Sequence, residues 1–258
     1  MQKTFVLLFL FVMFLVCALP TMAGVDWKAF DVGNFQSAIF NTGIVGFPQD
    51  PTRNPSGWWP AGTNDSYIFS GDLWIGAKKG GKVGVSVSDA RNSEIWPADD
   101  VPEVVSKKPG TTTKGTPTSQ SLFYKATDTN PAVNKNPLGL GIEVNGFQWS
   151  FSPLYDFFIL EHKIKNIGSD TLQDLYIAFR YDVDVSSGEA GTASYSADDF
   201  VALDETPDSR NPDAHPNRHL SYGYSNATAK GYVGVRVLDA YGGTDPKART
   251  QKIPFTAH

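Results

Sequence analysis

The chain has 258 residues and a formal net charge of −5, a length that fits one large or two small domains and a balance that argues against nucleic acid as a partner. Lys3 precedes an unbroken apolar run from Phe5 to Leu19, and Thr21-Met22-Ala23 places small residues where a signal peptidase reads them, so residues 1–23 are expected to be a signal peptide and the mature chain to begin at Gly24. That cut removes Cys17, all three Met and Lys3, which leaves no sulfur, moves the charge to −6, and excludes disulfides, thiol catalysis and Cys-ligated zinc.

The leader run is shorter than the roughly 20 residues of a spanning helix, and no other run approaches it, so no transmembrane segment is expected after cleavage. Lipid attachment at Cys17 is disfavoured by the bulk of Val16 just before it. The mature chain keeps 24 Gly and 16 Pro among 235 residues, with 29 Phe, Tyr or Trp besides. Punctuation of this kind combined with aromatics is a β composition.

In chain order, a weak strand is expected at 34–41. Trp58-Trp59 follows, flanked by Pro55, Gly57 and Pro60. Neighbours on an extended chain point to opposite sides, so one indole is a candidate to stack on a sugar ring, against the reading that both tuck beneath the loop. From Tyr67 to Gly76 the residues Tyr67, Phe69, Leu73 and Ile75 share one side at a period of two, and Val83, Val85 and Val87 then alternate with Gly84, Ser86 and Ser88. The two runs read as the arms of an antiparallel hairpin. Between them, Gly76 to Lys82 has the G-x4-G-K spacing of a phosphate loop. Val83 stands where a Ser or Thr should be, and a β run follows instead of a helix, so a hairpin turn is the better reading.

The stretch 106–137, rich in Lys, Thr, Pro, Gly and Asn, reads as a long loop within one domain spanning 24–258. A weak strand is expected at 141–151. From Asp156 to Lys165, Phe158, Leu160, His162 and Ile164 form the face expected to be buried, with His162 read as a hydrogen-bonded core residue. The longest alternation runs from Leu175 to Val185, and weaker strands are expected at 199–204, 219–225 and 231–239. No mature segment has a helical period, so the fold class is all-β, an antiparallel β-sandwich of jelly-roll or immunoglobulin-like type with long loops.

The chemistry-bearing candidates are few. His215 and His219 have the four-residue spacing of a helical zinc pair, but Pro212 and Pro216 make a loop there. Neither a G-x-S-x-G elbow nor an H-E-x-x-H pair occurs. Carboxylates are plentiful enough to admit a glycosidase, yet none is singled out as acid or nucleophile. Asn64-Asp65-Ser66 and Asn226-Ala227-Thr228 fit the glycosylation pattern, which matters only in a eukaryotic secretory pathway. The most informative feature is acidic. Asp182 and Asp184 end the strong strand and Asp198-Asp199 opens the next, an oxygen-ligand set suited to calcium, weighed against simple neutralisation by Arg180.

Five segments in order, FNTGIVGFP at 40–48, SYIFSGDLWIGAKKGGKVGVSVSD at 66–89, FFILEHKIKNIGSDTLQDLYIAFRYDVDV at 157–185, ADDFVALDE at 197–205 and GYVGVRVLDA at 231–240, resemble secreted β-sandwich proteins of Bacteroidetes-type bacteria. Such proteins are often followed by fibronectin-type modules and a type IX secretion sorting tail. The resemblance spans most of residues 34–239, is most distinctive from Asn166 to Asp184, and implies architecture and an extracellular location more than an activity. This chain departs from it in stopping at His258 without a sorting tail, which leaves a truncated gene or a fragment open. The expectation is therefore a non-catalytic, calcium-stabilised structural or adhesive module at or outside the cell surface, with polysaccharide or other surface proteins as partners. The alternative is a polysaccharide-active enzyme or its carbohydrate-binding portion.

Overall fold

A computed structural model describes residues 24–47, 54–89, 91–111, 113–185, 199–204, 206, 220–225, 231–242 and 251–252. In chain order the strands are β1 (Trp27–Phe30), β2 (Ser37–Phe40), β3 (Ile44–Gly46), β4 (Ile68–Lys79), β5 (Lys82–Val87), β6 (Trp96–Pro97), β7 (Val105–Lys107), β8 (Ser119–Thr127), β9 (Leu140–Trp149), β10 (Phe158–Asn166), β11 (Leu172–Val183), β12 (Asp199–Asp204), β13 (Leu220–Ser225), β14 (Val233–Arg236), β15 (Tyr241–Gly242) and β16 (Gln251–Lys252). Every pairing among them is antiparallel, and no helix occurs among the described residues.

The first sheet runs β1-β2-β3-β4-β11 with β5 also on β4, and the second runs β10-β9-β8-β6 with β7 also on β8. Their facing sides share one core: Phe30, Ile39, Leu73 and Ile75 from the first meet Leu122, Tyr124, Ile142 and Val144 from the second. A smaller sheet, β12-β13-β14, adds Val233 to that core, and β15 pairs with β16.

Local chemistry accounts for the elements. The β4–β5 hairpin closes on Gly80 and Gly81, whose φ values of 56° and 78° allow the two-residue turn that sets Lys79 opposite Lys82. The hairpin's polarity is the reverse of what its valines suggest. Val83 and Val85 are exposed while Ser86 and Ser88 are fully buried, because both serines are hydrogen-bonded inside the sandwich. β10 behaves as its alternation predicts, with Phe158, Leu160 and Ile164 packed on the core.

The stretch 106–137 is not a single long loop. It contains part of β7 and the whole of β8, a central strand of the second sheet whose Gln120, Leu122, Tyr124 and Ala126 alternate inward. Two of those four inward residues are polar or small, so the period of two is faint in the sequence. The polar one is used. Gln120 accepts from Asp31 N at 3.0 Å and donates to Ala29 O at 2.7 Å. Its cross-strand neighbour Gln148 accepts from Gly33 N at 2.9 Å and donates to Phe35 O at 2.6 Å. Two glutamine amides on one sheet thus satisfy backbone groups at the end of β1 and along the segment that links it to β2. Close packing supports the same junction, since Gly146 lets Phe30 lie where a Cβ would stand 2.6 Å from Cζ.

Candidate functional site

The acidic end of β11 is divided by its neighbours. Arg180 Nη2 donates to Asp182 Oδ2 at 3.0 Å, and its Nη1 donates to Asp72 Oδ2, also at 3.0 Å. Asp72 lies on β4 directly opposite Arg180, buried to 2% exposure, and takes a second hydrogen bond from Ser70. Burial raises the Asp72 carboxyl above its ordinary value, and the Arg180 and Ser70 hydrogen bonds oppose that rise without cancelling it. Arg180, although burial lowers it, ends raised because Asp182 and Asp72 both favour its charge. Both values rise, yet with opposite consequence for charge: the rise disfavours the Asp72 carboxylate and favours the Arg180 guanidinium. Asp72 loses nearly all its hydration for one cation, whereas Arg180 stays partly hydrated and gains two carboxylates.

Asp182 is therefore a half-exposed member of an ion-pair chain, while Asp184, past a register shift after Asp182, is buried. Asp199, at the start of β12, is brought to the same end, where its carboxylate accepts from Val185 N at 3.2 Å. Asp198 lies outside the described residues, as do His215 and His219. Among the described residues no group of three or more His, Cys, Asp or Glu side chains is placed to hold a metal ion.

The two tryptophans are both half-buried. Trp59 is a structural residue. It packs against the core, meets Tyr67 edge to face at 5.9 Å, and donates through Nε1 to Asp156 Oδ1 at 2.8 Å. Trp58 pairs its backbone with Gln36 in an isolated bridge, tying the loop to the segment before β2.

A more extensive aromatic surface lies on β12–β14, where sequence reasoning placed only weak strands. Phe200 and Tyr224 are cross-strand partners with ring centroids 5.7 Å apart, Tyr224 meets Tyr232 at 5.5 Å, and Tyr232 meets Tyr222 at 5.9 Å. Phe200 is 45% exposed and Tyr232 71%. On the other side β13 and β14 face inward, where Gly223 backs onto Val183, Tyr181 donates to Ser221 Oγ and Val233 is buried, while Val201 and Leu203 of β12 stay exposed.

Elsewhere, buried polar groups serve the framework. Asp128, fully buried after β8, accepts from Ser86 Oγ, Leu138 N, Gly139 N and Leu140 N at 2.7, 2.7, 3.1 and 2.6 Å, which fastens the 128–140 connection onto the β4–β5 hairpin. Ser56 Oγ accepts from Phe47 N and donates to Ile68 O. His162, on the inward face of β10, makes no hydrogen bond among the described residues, unlike the core histidine expected, and burial pushes its imidazole down to about 4.

No family model matches the chain, no curated protein matches it, and no solved structure matches it.

Proposed function

We propose that the protein is an exported, non-catalytic β-sandwich module with a structural or adhesive role at or outside the cell surface. The observation that carries this reading is where its buried polar chemistry is spent. Asp128, Gln120, Gln148, Ser56 and Ser88 direct most of their hydrogen bonds at backbone groups of the sandwich, which is how a framework is held and not how a reacting group is presented. Export is supported by the leader sequence at 1–23. Recovery of the protein outside the cell with Gly24 at its N-terminus is expected; a chain that stays inside the cell refutes the location, and Met1 retained on exported material refutes the cleavage site.

Calcium belongs to this proposal through Asp182, Asp184, Asp198 and Asp199, the carboxylates around the end of β11 and the start of β12. A chelator lowers the melting temperature of the purified protein if the ion is bound there, and an unmoved melting curve removes calcium from the reading. The aromatic array on β12–β14 favours a second reading, a polysaccharide ligand stacked on Phe200 and Tyr232. Glycan binding lost in both Phe200→Ala and Tyr232→Ala supports it; binding indifferent to both discards it.

A further inference from the structure

We propose that β11 is a self-association edge, along which two copies of this chain pair antiparallel about Ala178. Among the described residues β11 forms a ladder only with β4, so its other edge presents unpaired backbone groups to solvent. Natural edge strands are usually blunted by Lys, Pro, a bulge or a covering segment. Here the register irregularities sit at the two ends, between Gln173 and Tyr176 and between Asp182 and Val183, leaving a regular stretch from Tyr176 to Asp182. The first half of that stretch is open: Tyr176 is 74% exposed and Ile177 is 49% exposed, although Ile177 lies opposite the fully buried Ile75 on the core side, while Tyr181 further along is half-buried with its hydroxyl on Ser221. An apolar residue on an inward face and half in water marks a core that stops short at this edge.

The occupant follows from the strand's own chemistry. A two-fold axis perpendicular to the sheet keeps inward residues opposite inward residues, as antiparallel pairing requires. Centred on Ala178, it sets Ile177 opposite Phe179 of the partner subunit on the inner face, and Tyr176 opposite Arg180 of the partner subunit on the outer face, each contact made twice. The inner pairs cover the half-exposed Ile177. The outer pairs place a tyrosine ring beside a guanidinium whose side chain remains 44% exposed after binding Asp72 and Asp182. Ala178, the smallest side chain of the stretch, meets its own copy on the axis. The surface therefore complements itself, and joining the two copies makes one continuous sheet across the pair. This inference is independent of the ligand or calcium readings above.

Sedimentation velocity of the mature chain across a micromolar concentration series reads the association directly, and a dimer that forms with concentration is expected. Tyr176→Lys sets a cation opposite Arg180 at both ends and weakens the dimer by at least about tenfold, while Tyr176→Glu sets an anion there and keeps it. Both substitutions fall at a solvent-facing position, and unchanged melting curves verify the fold. The mature chain has no thiol, so Ala178→Cys yields a disulfide-linked dimer on mild oxidation, whereas Val83→Cys, at a 75% exposed position on β5, does not. A wild-type protein that stays monomeric throughout, equal effects of Lys and Glu at 176, or equal cross-linking at 178 and 83 overturns the proposal.

Discussion

Replacing Asp128 with Ala removes the acceptor of four hydrogen bonds from a place water does not reach. Three of the donors are consecutive backbone amides, Leu138 to Leu140, and the fourth is the Ser86 hydroxyl, itself held by Asn134 Nδ2 at 3.3 Å. Each buried donor left without a partner costs about 1–3 kcal/mol, and part of that is recovered when water enters the space vacated, so a loss of about 3–5 kcal/mol is expected for Asp128→Ala. Asp128→Asn keeps the shape. With its Nδ2 in the position of Oδ2, Ser86 can turn to accept, and only the Leu138 amide is left unpaired, so about 2–3 kcal/mol is expected. Ser86→Ala, which removes one donor and one weaker bond, costs about 1 kcal/mol. For a chain of this size the melting temperature falls by roughly 2–4 °C per kcal/mol, so a thermal melt resolves the order Ala, Asn, then Ser86→Ala. Amide hydrogen exchange locates the effect, with Leu138, Gly139 and Leu140 losing protection first. A melting curve for Asp128→Ala that coincides with wild type would show that these four bonds do not hold the connection.

Three further outcomes follow from the packing and the charges. His162 has its folded pKa at about 4 against an ordinary 6.5, so the unfolded chain binds more protons between those values and stability falls as the pH is lowered through that window; a deficit of about 1–3 kcal/mol at pH 4.5 relative to pH 7.5 is expected from this residue, and His162→Leu should shrink it in thermal melts at the two pH values. Gly146→Ala drives a methyl toward Phe30 Cζ and Leu160 Cδ2, at 2.6 and 3.1 Å, and is expected to cost about 1–3 kcal/mol in a denaturant titration, whereas Gly62→Ala, with nothing within 4 Å, costs only the strain of its positive φ. Arg180→Met strands the buried Asp72 charge at a cost of about 3–5 kcal/mol. Because the Asp72 carboxyl is raised in the folded state, that deficit is present at neutral pH and shrinks as acid protonates it, the opposite sign to His162.

The strands that were legible in the sequence are those with an undisturbed period of two. β4, β5, β10 and β11 alternate over most of their length, and β9 and β12–β14 were readable as weaker runs. β8 was hidden because its inward residues include Gln120 and Ala126, chosen for the backbone they satisfy and the space they fill, and because its neighbours are Lys, Thr and Ser. The inward serine of β5 was misleading for a related reason: Ser86 is buried for the sake of Asp128, 42 residues away, and a long-range side-chain bond leaves no periodic trace. The acidic end was visible as composition only. That Arg180 reaches back to Asp72 as well as to Asp182 depends on the β4–β11 register, and the aromatic array depends on Phe200 lying opposite Tyr224. Asp72, the one charged residue from Tyr67 to Ile75, is the local trace that such a buried pair leaves, and the alternation passes over it.

Whether the sandwich is a framework without catalytic activity is decided by incubating the purified protein with a broad panel of polysaccharides and assaying for released reducing ends. No turnover of any substrate is expected, with or without added calcium. Hydrolysis of even one polysaccharide, abolished by a single carboxylate-to-amide substitution that leaves the melting curve intact, would contradict it.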